Sequence, residues 1–167
     1  LIILLFTFPI LLISAILIKL EDQGPIFYTQ IRNGFEGNQF KIIKLRTMIK
    51  NAEKNGEQWA HKSDKRITKI GIILRKLRID ELPQLLLVLS GEMSLIGPRP
   101  ERPTIDKMLS KHIPNYDLRY AIKPGISGWA QVNYPYGASI EDSKIKLSYD
   151  LYYIKNYRMK FLIAKRL

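Results

Sequence analysis

Two adjacent carboxylates, Asp80 and Glu81, stand in this 167-residue chain among arginines: Arg75 and Arg78 precede them, and Arg99 follows in the turn Gly97-Pro98-Arg99-Pro100. An acidic pair at a helix start ordinarily does no more than complement the exposed N–H groups and the dipole there. Three guanidiniums in the neighbourhood shift the balance, because arginine matches phosphate oxygens bidentately. A solvated basic face remains the plain alternative for Arg75 and Arg78. An aspartate with an ordinary pKa of about 3.9 is ionised at neutral pH and needs no base to attack phosphorus. The neighbouring glutamate is then available for a divalent cation. Magnesium suits that role, since it takes one or two carboxylates and completes its shell from substrate phosphate oxygens.

Lys44 and Arg46 stand two residues apart in a strand-like run and so share a face, which makes them a second candidate anion contact, or simply an exposed basic strand. His61 and His112 are isolated in polar stretches and read as surface residues. Tyr149, Tyr152, Tyr153 and Tyr157 fall together near the end of the chain, where core or membrane-interface packing is the ordinary role. There is no cysteine, which excludes disulfides, a thiolate nucleophile and Cys-ligated zinc. Walker A, Gly-x-Gly-x-x-Gly, Asp-x-Asp and Gly-x-Ser-x-Gly patterns are all missing from the sequence, which weakens the familiar nucleotide-binding and hydrolase routes.

The elements that must position these groups are short. Residues 26–31 and 39–45 are rich in β-branched and aromatic types and flank a Gly/Asn-containing connection, which predicts a hairpin. Residues 47–59 are polar and helix-compatible. Ser63-Asp64 offers an N-cap for a helix with Ile67, Ile70, Ile73, Leu74 and Leu77 on one face and Lys65, Arg66, Lys69, Arg75, Lys76 and Arg78 on the other. Pro83 suits the first turn of a helix over the apolar residues 85–89, closed by Gly91. Ile105, Met108, Leu109 and Ile113 have helical spacing, Pro124-Gly125 reads as a turn before a short strand at 129–132, and Ser139-Ile140-Glu141-Asp142 has the form of a capping box. The class is α+β, mostly helical, with a small β-hairpin.

Residues 1–18 carry no charge, and Thr7 and Ser14 are their only polar side chains. A straight helix of that length reaches roughly 27 Å, close to the hydrocarbon thickness. Pro9 in its middle predicts a kink, which permits a re-entrant path, although hydropathy alone favours plain spanning. The basic residues that follow place the rest of the chain on the cytoplasmic side. The expected organisation is a membrane helix over residues 1–20 and a catalytic domain over residues 21–167. The abrupt apolar start and basic-apolar finish predict trimming at both ends. Lys and Arg number 27 against 15 Asp and Glu, a net charge of +12 that favours anionic partners.

Five stretches taken together resemble a known family, the bacterial sugar transferases, or monotopic polyprenyl-phosphate phosphoglycosyl transferases. They are Gly24-Pro25-Ile26-Phe27-Tyr28, Phe40-Lys41-Ile42-Ile43-Lys44-Leu45-Arg46-Thr47-Met48, Asp80-Glu81-Leu82-Pro83-Gln84-Leu85, Met93-Ser94-Leu95-Ile96-Gly97-Pro98-Arg99-Pro100 and Lys123-Pro124-Gly125-Ile126-Ser127-Gly128-Trp129-Ala130-Gln131-Val132-Asn133. The resemblance implies a re-entrant helix broken at Pro9, although Phe8 stands where the family often has serine, and a cytoplasmic domain at the bacterial inner membrane. It implies that Asp80 attacks the sugar-bearing phosphate of a UDP-sugar, releases UMP and then passes the phosphosugar to polyprenyl phosphate. Glu81 would bind Mg2+, and Lys44, Arg75 and Arg99 would hold phosphates, with Arg46 a further candidate. Glu101-Arg102-Pro103 and Tyr134-Pro135-Tyr136-Gly137-Ala138-Ser139 resemble the exopolysaccharide-export subgroup. Nucleic acid is not an expected partner on this reading. The competing readings are a membrane-tethered basic module for anionic lipid or nucleic acid and a non-catalytic membrane scaffold.

Overall fold

A computed structural model describes residues 2–54, 56, 64–135, 137 and 139–164, and its architecture is α+β and mostly helical. The chain divides into two compact units, Leu1–Thr29 with Ile43–Leu85, and Gln30–Ile42 with Leu86–Leu167. The predicted hairpin is present as β1 (Phe27–Asn33) and β2 (Gln39–Leu45), joined through a 3-10 turn at Phe35–Gly37, and its base belongs to the first unit and its tip to the second.

The first unit begins with α1 (Ile2–Asp22), helical throughout with Pro9 inside it. Ile18 is buried with Leu45 and Leu74, and Leu11, Ile26, Ile70 and Ile79 pack against them. Leu11, Ser14 and Ile18 thus form one stripe at helical spacing that faces this core, and the Ser14 hydroxyl is satisfied by the Ile10 carbonyl at 2.7 Å. Away from that stripe, Phe6, Phe8, Ile10, Leu12, Ile13, Ile16, Leu17 and Leu20 are exposed, from Leu17 at 40% to Leu20 at 76%. Among the described residues, no helix is long and apolar enough to cross a membrane.

The next helix, α2 (Lys69–Lys76), starts later than Ser63-Asp64 would place it. Thr68 is its N-cap and accepts from Gly71 N at 3.0 Å, while the Glu21 carboxylate at the end of α1 accepts from Lys69 N at 2.7 Å and Ile70 N at 3.2 Å. The first free N–H groups of α2 are therefore satisfied by its own cap and by a residue 48 positions away. Asp64 closes a local loop with Arg66 instead, and Ser63 lies outside the described residues. Of the expected apolar face, Leu74 is buried and Ile73 and Leu77 are exposed. Residues 47–54 are not helical: Met48 pairs with Ile67 in an isolated antiparallel bridge and turns follow, and most of residues 55–59 lie outside the described set, as does His61. At Gly71 any Cβ would sit 2.1 Å from the Thr47 carbonyl oxygen, so only glycine lets α2 lie this close to the chain leaving β2.

A 3-10 turn at Ile79–Gln84 leads into α3 (Leu85–Leu89). In the second unit, β3 (Ser94–Ile96) pairs in parallel with β4 (Gly125–Ser127), Ser94 opposite Gly125 and Ile96 opposite Ser127. A Cβ at Gly125 would fall 2.1 Å from Gly97 N, which explains the glycine there. Between these strands, α4 (Pro103–His112) presents the expected face: Leu109 and Ile113 are buried with Tyr116 and Leu147, and Ile105 and Met108 pack on them. The expected strand at 129–132 is instead a helical turn, α5 (Trp129–Asn133), where Gln131 N and Val132 N both bond to the Gly128 carbonyl and Trp129 stacks on Tyr152 at 6.2 Å. The capping box is present at the start of α6 (Ile140–Ala164): Ser139 Oγ accepts from Asp142 N at 3.0 Å and Asp142 Oδ2 accepts from Ser139 N at 3.1 Å.

Candidate active site

The turn that carries the carboxylate pair is made by an abrupt change of backbone hand. α2 ends at Leu77, and Arg78 adopts φ 58° and ψ 20°, a left-handed conformation that costs a non-glycine residue about 1 kcal/mol. The chain then re-enters a 3-10 turn whose first residues are Ile79, Asp80 and Glu81, with Ile79 packed on the Ile18–Leu45–Leu74 core. Packing of Ile79 and the short turn bury both carboxylates, with Asp80 7% and Glu81 5% exposed.

Lys44 on β2 reaches Glu81, with Nζ donating to Oε1 at 2.8 Å, and Arg78 Nη1 lies 4.0 Å from Oε2. A buried carboxylate needs such partners to remain charged, and a pair this close in a poorly hydrated site is a strong one. Arg75, one turn before the end of α2, donates from Nε to Thr47 Oγ1 at 2.8 Å. Lys44, Arg75, Asp80 and Glu81 thus come from three consecutive structural pieces of one unit.

Arg46 also lies in this unit and is engaged elsewhere. Its Nη1 and Nη2 grip the two oxygens of Asp22, Nε donates to the Pro25 carbonyl, and Nη1 also reaches the Met48 carbonyl at 3.3 Å. The Arg46 guanidinium holds the Asp22 carboxyl down at about 2. Every nitrogen of Arg46 is directed at the protein itself. Lys44 and Arg46, two residues apart, therefore serve different partners.

Arg99 belongs to the second unit, in the turn after β3. That turn is pinned at three successive carbonyls: Gly125 N donates to Pro98 O at 3.0 Å, Arg119 Nη2 to Arg99 O at 2.6 Å and Arg32 Nη1 to Pro100 O at 3.1 Å. Asn33, Pro98, Arg99, Arg119, Tyr120 and Pro124 line a shallow pocket beside it. The pinning residues Arg32 and Arg119, the Asp22 partner of Arg46 and the Glu21 cap were all missed from sequence. Each acts across a long separation with no motif spacing to betray it.

Magnesium fits the donor chemistry at Glu81. Adjacent carboxylates supply hard oxygen ligands, and Mg2+ needs only one or two of them beside water and phosphate oxygens. Among the described residues no group of three or more His, Asp or Glu is placed to hold an ion unaided. Any cation on Glu81 competes with the Lys44 ammonium for Oε1.

Comparison with known proteins gives the same direction. The chain is 49% identical over 151 residues to a UDP-N-acetylgalactosamine-undecaprenyl-phosphate N-acetylgalactosaminephosphotransferase of Aeromonas hydrophila, covering 90% of this chain and 36% of that protein. It is 42% identical over 153 residues to a UDP-glucose:undecaprenyl-phosphate glucose-1-phosphate transferase of Caulobacter vibrioides, covering 90% of this chain and 57% of that protein. An uncharacterized sugar transferase, EpsL, of Bacillus subtilis is 37% identical over 155 residues, covering 90% and 71%. The chain thus spans about a third to three-fifths of the length of the first two. With a bacterial sugar transferase profile matching residues 1–164, the chain belongs to the bacterial sugar transferase family.

Proposed function

We propose that this chain is the catalytic part of a phosphoglycosyl transferase that moves a phosphosugar from a UDP-sugar to undecaprenyl phosphate, the initiating step of exopolysaccharide or glycoconjugate assembly. The observation that carries this is the buried Asp80–Glu81 pair, with Lys44 at 2.8 Å from Glu81, inside a domain of this family. The printed activities of the Aeromonas and Caulobacter relatives support the donor and acceptor classes.

On this reading an Asp80 carboxylate oxygen attacks the phosphorus that bears the sugar. The bond from that phosphorus to the bridging oxygen breaks, UMP departs with the electron pair, and a covalent aspartyl-phosphosugar remains. An oxygen of undecaprenyl phosphate then attacks the same phosphorus and Asp80 leaves as a carboxylate, so the second transfer restores the enzyme. The small exposure of Asp80 limits access of bulk water to that acyl phosphate. Lys44 and Arg75 are proposed to hold phosphate oxygens, as, by the family resemblance, is Arg99 of the second unit, while Arg46 is assigned to the Asp22 clamp. A magnesium ion on Glu81, when bound, would neutralise diphosphate charge that otherwise repels the Asp80 carboxylate.

The long apolar face of α1 that the first unit leaves exposed supports insertion of this helix into the inner membrane, and Pro9 supports a re-entrant path that keeps the catalytic residues on the cytoplasmic face. The test is intact-mass analysis after mixing the protein with Mg2+ and a panel of UDP-sugars without lipid acceptor. The expected result is an added phosphosugar mass with one donor, absent in Asp80→Asn. An adduct of equal yield in Asp80→Asn overturns the assignment.

A further inference from the structure

Deep in the second unit lies a charged cluster that the proposed chemistry does not use. Arg119 is 9% exposed, and Asp106 and Asp150 are each 3% exposed. Arg119 Nη2 donates to Asp150 Oδ2 at 3.0 Å and Nη1 to Tyr116 Oη at 2.6 Å, while Nη1 lies 3.9 Å from Asp106 Oδ1. Asp106 Oδ2 is held in turn by Asn33 Nδ2 at 2.7 Å. Burial pushes both aspartate carboxyls up, and the Arg119 charge offsets part of that. Two carboxylates and one guanidinium out of water are costly to assemble, and well-packed apolar groups of similar volume often do as well in such places. Stability therefore does not account for the choice of arginine.

Geometry offers an account. A guanidinium has five donors in a rigid fork, and here Nη2, which holds Asp150, also donates to the Arg99 carbonyl at 2.6 Å, while Nη1 is taken by Tyr116. On either side the Pro98 carbonyl is fixed by Gly125 N, and the Pro100 carbonyl by Arg32, which also pairs with Glu101 at 3.0 Å. The backbone from which the Arg99 side chain springs is thus fixed at three consecutive carbonyls, and its central one depends on a guanidinium that Asp150, Asp106 and Tyr116 orient.

We infer that Arg119 is a positioning residue for Arg99: clamped by Asp150, Asp106 and Tyr116, it holds the Arg99 carbonyl and so fixes the direction in which the Arg99 guanidinium is offered to a substrate phosphate. The inference rests on the proposed role of Arg99 in phosphate binding. A small misplacement of a positioned group is enough to lower turnover severalfold or more.

A double-mutant cycle in the intact protein, with kcat/KM for the UDP-sugar as readout, tests it. Arg99→Met is expected to lower kcat/KM by about 10- to 100-fold, the loss of one charged contact. Arg119→Lys keeps the charge and removes the fork. It is expected to lower kcat/KM by about 10-fold with Arg99 present and to have no effect on activity when Met stands at 99. Equal losses from Arg119→Lys on both backgrounds overturn the positioning role, because a merely structural residue acts regardless of Arg99. Full activity of Arg99→Met refutes the phosphate role of Arg99, and the present inference with it, while leaving the Asp80 mass adduct intact. Should Arg119→Lys not fold, Asp150→Asn, which weakens the clamp and keeps Arg119, is carried through the same cycle with the same two outcomes.

Discussion

Replacing Arg46 with methionine should unfold the domain more easily and leave substrate handling almost untouched. Arg46 is 8% exposed at its side chain and Asp22 24%. Breaking a fully buried ion pair by removing one partner costs roughly 3–5 kcal/mol. Here Asp22 keeps part of its hydration, and the Pro25 and Met48 carbonyls also lose their donor, so about 2–3 kcal/mol is expected. In a chain of this size, about 2–4 °C of Tm per kcal/mol translates that into a drop of about 4–12 °C.

Asp22→Asn supplies the other side of a double-mutant cycle. The carboxyl of Asp22 is lowered from 3.8 to about 2, with the hydrogen bonds from Arg46 as the main cause. A depressed carboxylate pKa stabilises the fold at every pH above the unfolded value, and the gain is lost as pH falls through the folded value. The pair's contribution should therefore be flat from neutral pH down to about 4 and vanish towards pH 2, an acid limb worth about 1–2 kcal/mol and missing in Asp22→Asn. Thermal and urea unfolding across that pH range, together with kcat/KM of the folded protein, measure both halves. A variant Arg46→Met that melts with the parent but loses catalytic efficiency a hundredfold would show that Arg46 serves the substrate and refute the clamp.

Glu81→Gln should raise the Mg2+ concentration needed for half-maximal turnover by about 10-fold or more, since even residues behind a metal ligand alter affinity by that factor; an unchanged magnesium titration would remove Glu81 from the metal site. Gly71→Ala brings a methyl group within 2.1 Å of the Thr47 carbonyl oxygen, so the two segments must part, and a loss of about 2–3 kcal/mol in urea unfolding is expected. Ser139→Ala removes one half of the capping box on α6 and should cost about 1 kcal/mol, with activity retained, as measured by Tm and turnover on the same sample.

The parts of this fold that sequence discloses are those set by neighbours in the chain. The hairpin of β1 and β2, the apolar face of α4 and the capping box of α6 all follow from period, turn chemistry and a four-residue motif. What sequence does not disclose depends on distant partners. The helix α2 starts at Lys69 because Glu21 and Thr68 together satisfy its first N–H groups, and no local feature near Ser63 reports that. Trp129 has strand propensity, yet it joins a helical turn stacked on Tyr152. The acidic pair at 80 and 81 was legible as a candidate site from its residue types. Its burial, and its tie to Lys44 across 37 positions, depend on how β2 and the turn after α2 meet.

The basic residues show why a count of charges is a poor guide to contact with an anionic substrate. Arg46 bridges Asp22 and the Pro25 carbonyl, and Arg66 bridges Asp64 and the Ala52 carbonyl at 3.1 Å. Arg32 bridges Glu101 and the Pro100 carbonyl, and Arg119 bridges Asp150 and the Arg99 carbonyl. In all four a carboxylate orients the guanidinium and a further N–H fixes a loop carbonyl that no strand or helix would satisfy; Arg46 and Arg66 use separate nitrogens for the two acceptors, whereas Arg32 Nη1 and Arg119 Nη2 each serve both. At Arg46 and Arg66 the two acceptors lie on different nitrogens of the fork, so the single nitrogen of a lysine there would leave either the carboxylate or the carbonyl without its donor. A domain with few strands and long connections has many such carbonyls to satisfy. Part of the +12 excess that first suggests anionic ligands is therefore invested in holding the loops that carry the site, and it is lysine on β2, at position 44, that reaches the buried glutamate.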